Sequence, residues 1–302
     1  MNELVTAVIT TYKREPEILR RAVESVVNQT WRPLELYVIN DCPEDIVLSD
    51  RIRSMILDVQ QNHSDLSIQY VPLEHNSGAC VARNKGLELA KGEFISFLDD
   101  DDTWESEKIS EQIGGFTSKK VGMVYSPFYN VDFEGKKELI VRGDKSGVLL
   151  DNLLYRNVIG GTSMPMMRTR AMRNIGGFDP DMLSSQDYDT WVRMAEKYEI
   201  QFVGKPLTVR YLTGESITTN LKKKESGWLR FTEKYLHYYK DNREAFSNRL
   251  SLMVGEMIAL NNKKFVNSVL EKYKGLYNQS VKFAYCKAII KTVVKSVLRK
   301  KQ

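Results

Sequence analysis

Strand-like runs alternate with helical patterns along the first third of the chain, and this alternation constrains the fold more than any other feature. The strand-like runs are short and apolar, and they cover residues 4–10, 34–39, 67–71 and 93–98. Between them, apolar side chains recur with a helical period over residues 16–29, 47–61 and 79–90. Such alternation with short loops predicts right-handed crossovers and a three-layer α/β domain with a mostly parallel sheet.

Four consecutive aspartates, Asp99 to Asp102, directly follow the fourth strand-like run. Carboxylates this close repel one another, and the repulsion grows as the local dielectric constant falls. Hard cations such as Mg²⁺ and Mn²⁺ take oxygen ligands and commonly join one or two carboxylates to substrate phosphates. The run alone fits equally an acidic turn that caps the next helix, because aspartate is favoured at helix N-caps.

Polar residues also follow the first two strands, at Thr10–Tyr12 and at Asp41. Ligands of open α/β sheets bind beyond the carboxyl ends of the strands. We therefore expect these residues and the aspartates to meet in one crevice, and this expectation favours the metal site over the capped turn.

The pattern changes in the second half of the chain. Hairpin-like pieces are punctuated by turn signals at Gly160–Gly161 and Gly176–Gly177, and the chain from about residue 222 reads as helical. We predict an α/β domain over residues 1–221 and a basic helical region over residues 222–302.

The cysteines and the N-terminus indicate a cytoplasmic protein. Cys42, Cys80 and Cys286 are odd in number and widely spaced, which argues against a disulfide scaffold or a zinc site. The N-terminus shows no signal-peptide pattern, and no stretch approaches the roughly 20 apolar residues of a spanning helix. We expect a protein that is soluble or peripheral on the inner face of the plasma membrane.

The C-terminal region is strongly basic. Residues 222–302 contain 19 lysines and arginines against 6 aspartates and glutamates, whereas the rest of the chain is net acidic. This asymmetry predicts an anionic partner, although no nucleic-acid-binding motif is present and no nucleic acid is expected.

Residues 281–301 form a basic amphipathic helix in which cations recur every four residues, at Lys287, Lys291, Lys295 and Arg299. The adjacent face is apolar and contains Val281, Tyr285, Ala288, Ile289, Thr292, Val293 and Val297. Such a helix can lie on an anionic membrane. It can equally dock its apolar face on the protein and leave its lysines in solvent.

Seven motifs follow one another along the chain, at residues 8–14, 25–30, 35–41, 76–86, 92–104, 176–179 and 186–193. In order and spacing they resemble glycosyltransferase family 2, the inverting nucleotide-sugar glycosyltransferases of the GT-A fold. The resemblance runs from about residue 3 to about residue 217. It implies a Rossmann-like GT-A domain with a nucleotide-binding half at 1–102 and an acceptor-binding half at 103–221.

The resemblance implies a set of donor-binding residues, namely Thr10, Tyr12, Arg14, Asp41, Arg83, Asp99 and Asp100. The Tyr12 ring would stack on the base, Asp41 would accept from a pyrimidine N–H, and Arg83 would contact the base or a phosphate. Simpler structural interpretations stay open, with Tyr12 as a packing residue and Arg83 as an ordinary surface arginine of a helix.

The metal site is also implied by the resemblance. The family's Asp-x-Asp motif maps onto Asp99 and Asp101, with Asp101 as the expected direct ligand of Mn²⁺ or Mg²⁺. Asp102 is expected to begin the next helix, which would contain Trp104. Many relatives supply a histidine ligand near the end of the domain, but residues 210–216 contain none, and Thr213 or Glu215 stands nearby. A water-rich metal site is therefore expected.

The general base implied by the resemblance is Asp187, which matches the second residue of the family's Glu-Asp pair. A partly desolvated cleft would raise the pKa of this carboxyl toward that task. Gln186 replaces the usual glutamate and, like Trp104, is assigned to the acceptor side. Aspartate also favours N-caps, and we expect Asp189 to cap the helix that follows.

These expectations together describe a metal-dependent inverting glycosyltransferase. It would move a sugar from a nucleoside-diphosphate sugar, with UDP favoured, to a hydroxyl of a lipid-linked glycan in surface polysaccharide biosynthesis. A nucleotidyltransferase is the first alternative, although the loop Thr10–Lys13 lacks the glycines expected of its phosphate loop. A catalytically inactive module that binds sugar nucleotides is the second.

Overall fold

The structure, a computed structural model, describes residues 2–212 and 220–299, with side chains given only as far as residue 291 in the last helix. These residues form two compact units. The first comprises residues 2–149, 158–181 and 186–212, and the second comprises residues 150–157, 182–185 and 220–299. The helical unit thus includes two short segments from the region predicted to belong to the acceptor half.

The strands of the described chain all lie in the first unit. They are β1 (Val5–Thr11), β2 (Leu34–Asn40), β3 (Ser67–Pro72), β4 (Phe94–Asp99), β5 (Thr103–Trp104), β6 (Val121–Tyr125), β7 (Phe128–Val131), β8 (Lys137–Ile140), β9 (Met166–Arg168), β10 (Glu199–Phe202) and β11 (Thr208–Tyr211).

The helices are shared between the units, with α5 and α8–α12 in the second. They are α1 (Pro16–Val27), α2 (Ile46–Asn62), α3 (Ala79–Leu89), α4 (Lys108–Gly114), α5 (Leu150–Tyr155), α6 (Thr169–Asn174), α7 (Gln186–Ala195), α8 (Leu221–Lys234), α9 (Leu236–Asp241), α10 (Arg243–Ala259), α11 (Lys263–Lys272) and α12 (Ser280–Arg299).

A seven-stranded sheet in the order β10-β6-β9-β4-β1-β2-β3 forms the centre of the first unit. Strand β1 pairs in parallel with β2 and β4, whereas β9 runs antiparallel to β4 and β6. The side chains of β1 and β2 are almost all buried, as expected for parallel strands that helices cover on both faces. The predicted α/β fold with a mostly parallel sheet is confirmed.

Helix α1 shows how the local sequence builds a covering layer. Pro16 occupies its first turn, where a missing N–H breaks no intrahelical hydrogen bond. Leu19, Ala22, Val23 and Val26 recur on one face and are fully buried in a cluster with the residues of β1 and β2. This apolar face fixes the helix on the sheet.

A smaller sheet in the order β5-β11-β7-β8 contains the hairpin of β7 and β8. Trp104 lies in β5, and α4 begins only at Lys108 after Glu107. The prediction that Asp102 begins a helix containing Trp104 is therefore wrong. A two-residue strand and a turn follow the aspartates instead, and the Asp102 side chain is buried.

The second unit packs its helices around aromatic side chains. The ring centroids of Phe231 and Tyr235 lie 4.7 Å apart, and the Arg249 guanidinium lies 3.8 Å from the centre of the Phe231 ring. Helix α12 packs along α10 and buries Val281. Within the described chain, no helix combines the length and the apolar character that crossing a bilayer requires.

Candidate active site

The carboxyl ends of three neighbouring strands bring the predicted site residues to one edge of the main sheet. Thr10 of β1 lies opposite Asp99 of β4 on one side and Ile39 of β2 on the other. The residues that follow these strands, including Asp41 and Asp100, therefore leave the sheet at the same edge. This is the edge at which open α/β sheets bind ligands.

Asp41 organises the loop between β3 and α3. Its Oδ1 accepts a hydrogen bond from Ser77 N at 2.7 Å, and its Oδ2 accepts one from Gly78 N at 2.9 Å. Since each carboxylate oxygen has two lone pairs, both can accept a further hydrogen bond from a ligand. The predicted bond to a pyrimidine N–H stays a prediction.

Tyr12 is the most exposed of the predicted donor-binding side chains, with 49% of its surface accessible. The following residue, Lys13, has a φ of 51°, a left-handed conformation that is uncommon for a residue with a side chain. The Lys13 ammonium lies 5.4 Å from the centre of the Tyr12 ring. The ring is thus accessible for stacking, which stays a prediction, and no described hydrogen bond joins Tyr12 to the aspartate run.

Arg14 binds two of the four aspartates. Its Nε donates to Asp100 Oδ1 at 2.8 Å, and its Nη2 donates to Asp101 Oδ2 at 3.0 Å. Burial raises the pKa of Asp100 to about 6, although the Arg14 charge opposes this shift. The guanidinium therefore offsets much of the repulsion within the run.

Arg83 joins the aspartate run to the start of α7. This buried side chain donates from Nη2 to Asp99 Oδ1 at 2.8 Å and from Nη1 to Gln186 Oε1 at 3.2 Å. Because Arg83 is buried and paired, it is not an ordinary surface arginine. These two hydrogen bonds from one guanidinium hold the start of α7 beside the end of β4.

Asp187 is the second residue of α7, next to that junction. Its Oδ1 accepts a hydrogen bond from Tyr188 N at 2.7 Å, and no described hydrogen bond reaches Oδ2. Burial raises the pKa of this carboxyl above its ordinary value, while the Arg83 charge opposes the shift and the Asp99 charge adds to it. A carboxylate with a raised pKa is suited to general-base chemistry.

Asp189 does not cap α7. The helix begins at Gln186, so Asp189 lies inside it, where its fully buried carboxylate pairs with Arg193 Nε at 2.8 Å. The predicted N-cap role is wrong because an N-cap residue precedes the first helical turn. The pair instead stabilises the helix that carries Asp187.

Ser163 is a positioning residue that sequence reasoning missed. Its Oγ accepts from Asp99 N at 3.1 Å and donates to Asp102 Oδ2 at 2.7 Å. Its carbonyl oxygen accepts from Trp104 Nε1 at 3.0 Å. One residue from the glycine-containing segment before β9 thus connects both ends of the aspartate run. The only sequence signal was the Gly160–Gly161 turn signal.

Trp104 is buried and lies beneath the Lys108 ammonium, which is 4.2 Å from the ring centre. Its role on the acceptor side stays a prediction. Its indole Nε1 donates to the carbonyl oxygen of Ser163, the residue that bonds both ends of the aspartate run.

Two carboxylates of the aspartate run have the chemistry and the exposure that a divalent cation requires of its ligands. The Asp99 and Asp101 side chains are 38% and 19% exposed, whereas Asp102 is buried and accepts from Ser163. The described residues contain no group of three or more acidic, histidine or cysteine side chains arranged around one metal position. Mg²⁺ commonly uses only one or two carboxylates, with waters and phosphates completing its shell.

Tyr211 of β11 belongs to the stretch in which the histidine ligand was expected, and Arg21 connects it to the aspartate run. Arg21 lies 3.6 Å from the centre of the Tyr211 ring and donates from Nη2 to the Asp101 carbonyl oxygen at 2.8 Å. Thr213 and Glu215, which stand in the sequence near the position of the missing histidine, lie outside the described residues.

Two curated relatives match most of the chain. WcaA of Escherichia coli (strain K12), whose name assigns it provisionally to colanic acid biosynthesis, is 27% identical over 81% of this chain and 83% of its own length. The Escherichia coli UDP-Glc:alpha-D-GlcNAc-diphosphoundecaprenol beta-1,3-glucosyltransferase WfaP is 29% identical over 65% of this chain and 71% of its own length.

A solved structure shares the fold over nearly the whole chain. Staphylococcus aureus TarS in complex with UDP-GlcNAc superposes with a TM-score of 0.66, covering 99% of this chain and 92% of that one at 16% identity. At this identity the similarity shows the fold, and it confirms the predicted GT-A architecture.

The family assignment follows from the sequence itself. The model of glycosyl transferase family 2 matches residues 6–176, which is more than half of the 302 residues. The match includes Thr10, Asp41, Arg83 and the whole aspartate run. The chain therefore belongs to glycosyl transferase family 2 and is a glycosyltransferase.

Proposed function

We propose that the protein transfers a sugar, with inversion, from a UDP-sugar to a hydroxyl of a lipid-linked glycan in surface polysaccharide biosynthesis. The observation that carries this proposal is the contact of Arg83 with both Asp99 and Gln186. It places the carboxylate of Asp187 next to the end of β4, where the reacting end of a donor would lie.

On the donor side, Tyr12 and Asp41 would take the base, and Arg14 with Arg83 would lie beside the diphosphate. The exposed Tyr12 ring supports stacking, since aromatic and base rings attract face to face. The preference for UDP is supported by WfaP, whose name gives a UDP-glucose donor, and by TarS, which was solved with UDP-GlcNAc. Nucleotidyl transfer has no comparable support.

Asp101 and Asp99 would hold Mn²⁺ or Mg²⁺ together with the donor's phosphates. When bound, such an ion neutralises the charge that develops on a departing diphosphate. Arg14, which pairs with Asp100 and Asp101, would place a further positive charge beside the diphosphate.

Asp187 would accept the proton of the acceptor hydroxyl. As the hydroxyl oxygen bonds to the anomeric carbon of the sugar, the bond from that carbon to the phosphate oxygen breaks, and the nucleoside diphosphate leaves. The raised pKa of Asp187 favours this proton transfer. Gln186 is held by Arg83 and would position the acceptor without adding a second negative charge beside the base.

A lipid-linked acceptor is supported by WfaP, whose named acceptor is a diphosphoundecaprenol-linked sugar, and surface polysaccharide is supported by the name of WcaA. Such an acceptor lies at a membrane. The basic C-terminal region supports a peripheral position on the inner, anionic face of the plasma membrane.

The stereochemistry of the product tests this proposal. The full chain is incubated with Mn²⁺, a panel of α-linked UDP-sugars and a lipid-diphosphate-linked sugar acceptor, and the new linkage is assigned by NMR. We expect a β-linked product and UDP release that depends on the acceptor. An α-linked product would contradict the inverting mechanism, and transfer only to acceptors without lipid would contradict the acceptor class.

A further inference from the structure

As far as residue 291, helix α12 presents two apolar faces, of which one is covered by the protein and one is exposed. On the inner face, Val281 is fully buried against the helical unit, and Tyr285 and Ala288 are partly buried. Of the two alternatives left open by the sequence, docking on the protein is thus observed for this face as far as its side chains are described, and its partner is α10 of the same unit.

The second face of α12 is exposed. Phe283 and Ile290 are seven residues apart, so they lie two turns apart on one side of the helix, and 72% and 63% of their surfaces are accessible. Lys287 lies between them, and Lys282 and Lys291 flank them, all exposed. We call these five residues the outer face.

The chain segment that carries the outer face contains charges of a single sign. The last 31 residues contain nine lysines and arginines and no aspartate or glutamate. No salt bridge to a carboxylate is present for Lys282, Lys287 or Lys291 among the described residues. A surface of this kind attracts anionic partners over a distance of about one Debye length.

We infer that the outer face docks on an anionic lipid bilayer, with Phe283 and Ile290 entering the acyl boundary and the three lysines lying among the headgroups. A bilayer is favoured over an acidic protein because large apolar side chains interleaved with lysines match the boundary between acyl chains and anionic headgroups. The docking surface is argued from exposure and charge alone. Its biological role rests on the proposed function, since docking would bring the enzyme to the membrane that holds the lipid-linked acceptor.

A cleft of about 480 Å³ adjoins one end of the outer face, between α11 and α12. Its lining includes Lys282 and Lys274, the side chains of Asn267 and Gln279, and the carboxylate of Glu271, which pairs with Lys274 at 3.4 Å. Two cations against one carboxylate leave the cleft net positive, as expected for a surface that meets lipid phosphates.

Binding to vesicles tests the inference on the full chain, without donor or acceptor. Cosedimentation is measured with phosphatidylcholine vesicles that contain or lack phosphatidylglycerol. We expect binding only to the anionic vesicles. Because each cation near an anionic surface strengthens binding about fivefold, the loss of two in K287E/K291E should weaken it about 25-fold or more. F283S/I290S should weaken it to a similar extent, since the buried apolar area supplies the other part of the affinity.

Two matched variants separate docking from general electrostatics. K263E/K264E changes the net charge by the same amount on exposed lysines at the start of α11, and F133S removes an exposed phenylalanine from the β7–β8 turn. Both should keep vesicle binding within about twofold of wild type, as surface changes outside the docking face usually do little. Failure of the wild type to bind anionic vesicles, or equal losses in the matched variants, would overturn the inference.

The outcome is independent of the proposed chemistry. Sugar transfer from a UDP-sugar to a short-chain, water-soluble lipid-diphosphate-linked acceptor, measured without vesicles on the same variants, should equal that of the wild type. Transfer without vesicle binding would refute only the docking surface, whereas vesicle binding without any transfer would refute only the proposed function.

Discussion

Nη2 of Arg83 lies 2.8 Å from Oδ1 of Asp99, and this ion pair ties helix α3 to the end of strand β4. The same guanidinium reaches Gln186 at the start of α7, at 3.2 Å. One buried side chain therefore sets the spacing between the strand ends proposed to bind the donor and the helix that carries the proposed base.

Replacing Arg83 by lysine should damage this junction. Arg83→Lys keeps the charge but removes the planar fork that bonds two partners at once. We expect the donor KM to rise about tenfold and the free energy of unfolding to fall by about 1–3 kcal/mol. Steady-state kinetics and urea denaturation measure the two effects. Arg20→Lys, which alters an exposed pair with Asp58, is the control and should change neither by much. Equal effects of the two variants would contradict the role of Arg83.

Substitution of Asp187 should lower catalysis, whereas substitution of Asp189 should lower stability. Asp187→Asn removes the proposed proton acceptor, so kcat should fall by about 10²–10⁴-fold while donor affinity stays close to that of the wild type. Asp189→Asn removes a fully buried carboxylate and leaves the partly buried Arg193 without its charged partner, so it should lower the free energy of unfolding by about 3 kcal/mol. Kinetics and denaturation of both variants distinguish the cases. A destabilised Asp187→Asn with an unchanged kcat would contradict the assignment of the base.

The buried Asp100 should make stability depend on pH. Its pKa is raised to about 6 in the folded protein from an ordinary value of 3.8. Below the lower value the carboxyl is protonated in both states. Between the two values the unfolded chain loses its proton first, so stability falls as the pH rises toward 6 and the loss is complete above it.

Asp100→Asn removes this titration, so its stability should fall less than that of the wild type over the same pH range. Urea denaturation of both proteins at a series of pH values measures the difference. Parallel stability curves would show that the Asp100 pKa is not raised.

Replacing Ser163 should destabilise the protein more than replacing a buried serine that makes no side-chain hydrogen bond. Ser163→Ala removes the acceptor for Asp99 N and the donor to the buried Asp102 carboxyl, which should lower the free energy of unfolding by about 1–3 kcal/mol and reduce kcat/KM. Ser126 is also buried, and its Oγ has no hydrogen-bond partner among the described residues. Ser126→Ala should therefore be nearly neutral, and a similar loss in both variants would contradict the positioning role of Ser163.

The sequence predicted the sheet and the convergence of its strand ends because both follow from local patterns. The apolar runs of β1, β2 and β4 specify buried parallel strands, and a parallel sheet brings their carboxyl ends to one edge. The position of Asp99 beside Thr10 follows from that geometry.

The errors concern burial, which depends on residues far apart in the chain. Aspartate favours N-caps in general, so the chain near Asp102 and Asp189 gave no sign that their side chains are buried. Ser163 meets Asp102 across 61 residues, and no local pattern indicates such a pair. Likewise, periodicity showed one apolar face on α12, whereas the exposed Phe283 and Ile290 became a second face only when the packing against α10 was seen.

The central claim, a UDP-sugar site that uses a divalent cation on the aspartate run, is tested most directly by thermal shift. The melting temperature is measured with UDP, UDP-sugars and other sugar nucleotides, with and without Mn²⁺, for the wild type, Asp101→Asn and the exposed control Asp50→Asn. We predict that UDP and a UDP-sugar raise the Tm of the wild type and of Asp50→Asn only with Mn²⁺, and leave Asp101→Asn unshifted. No Mn²⁺-dependent stabilisation by any nucleotide, or an equal shift in Asp101→Asn, would contradict it.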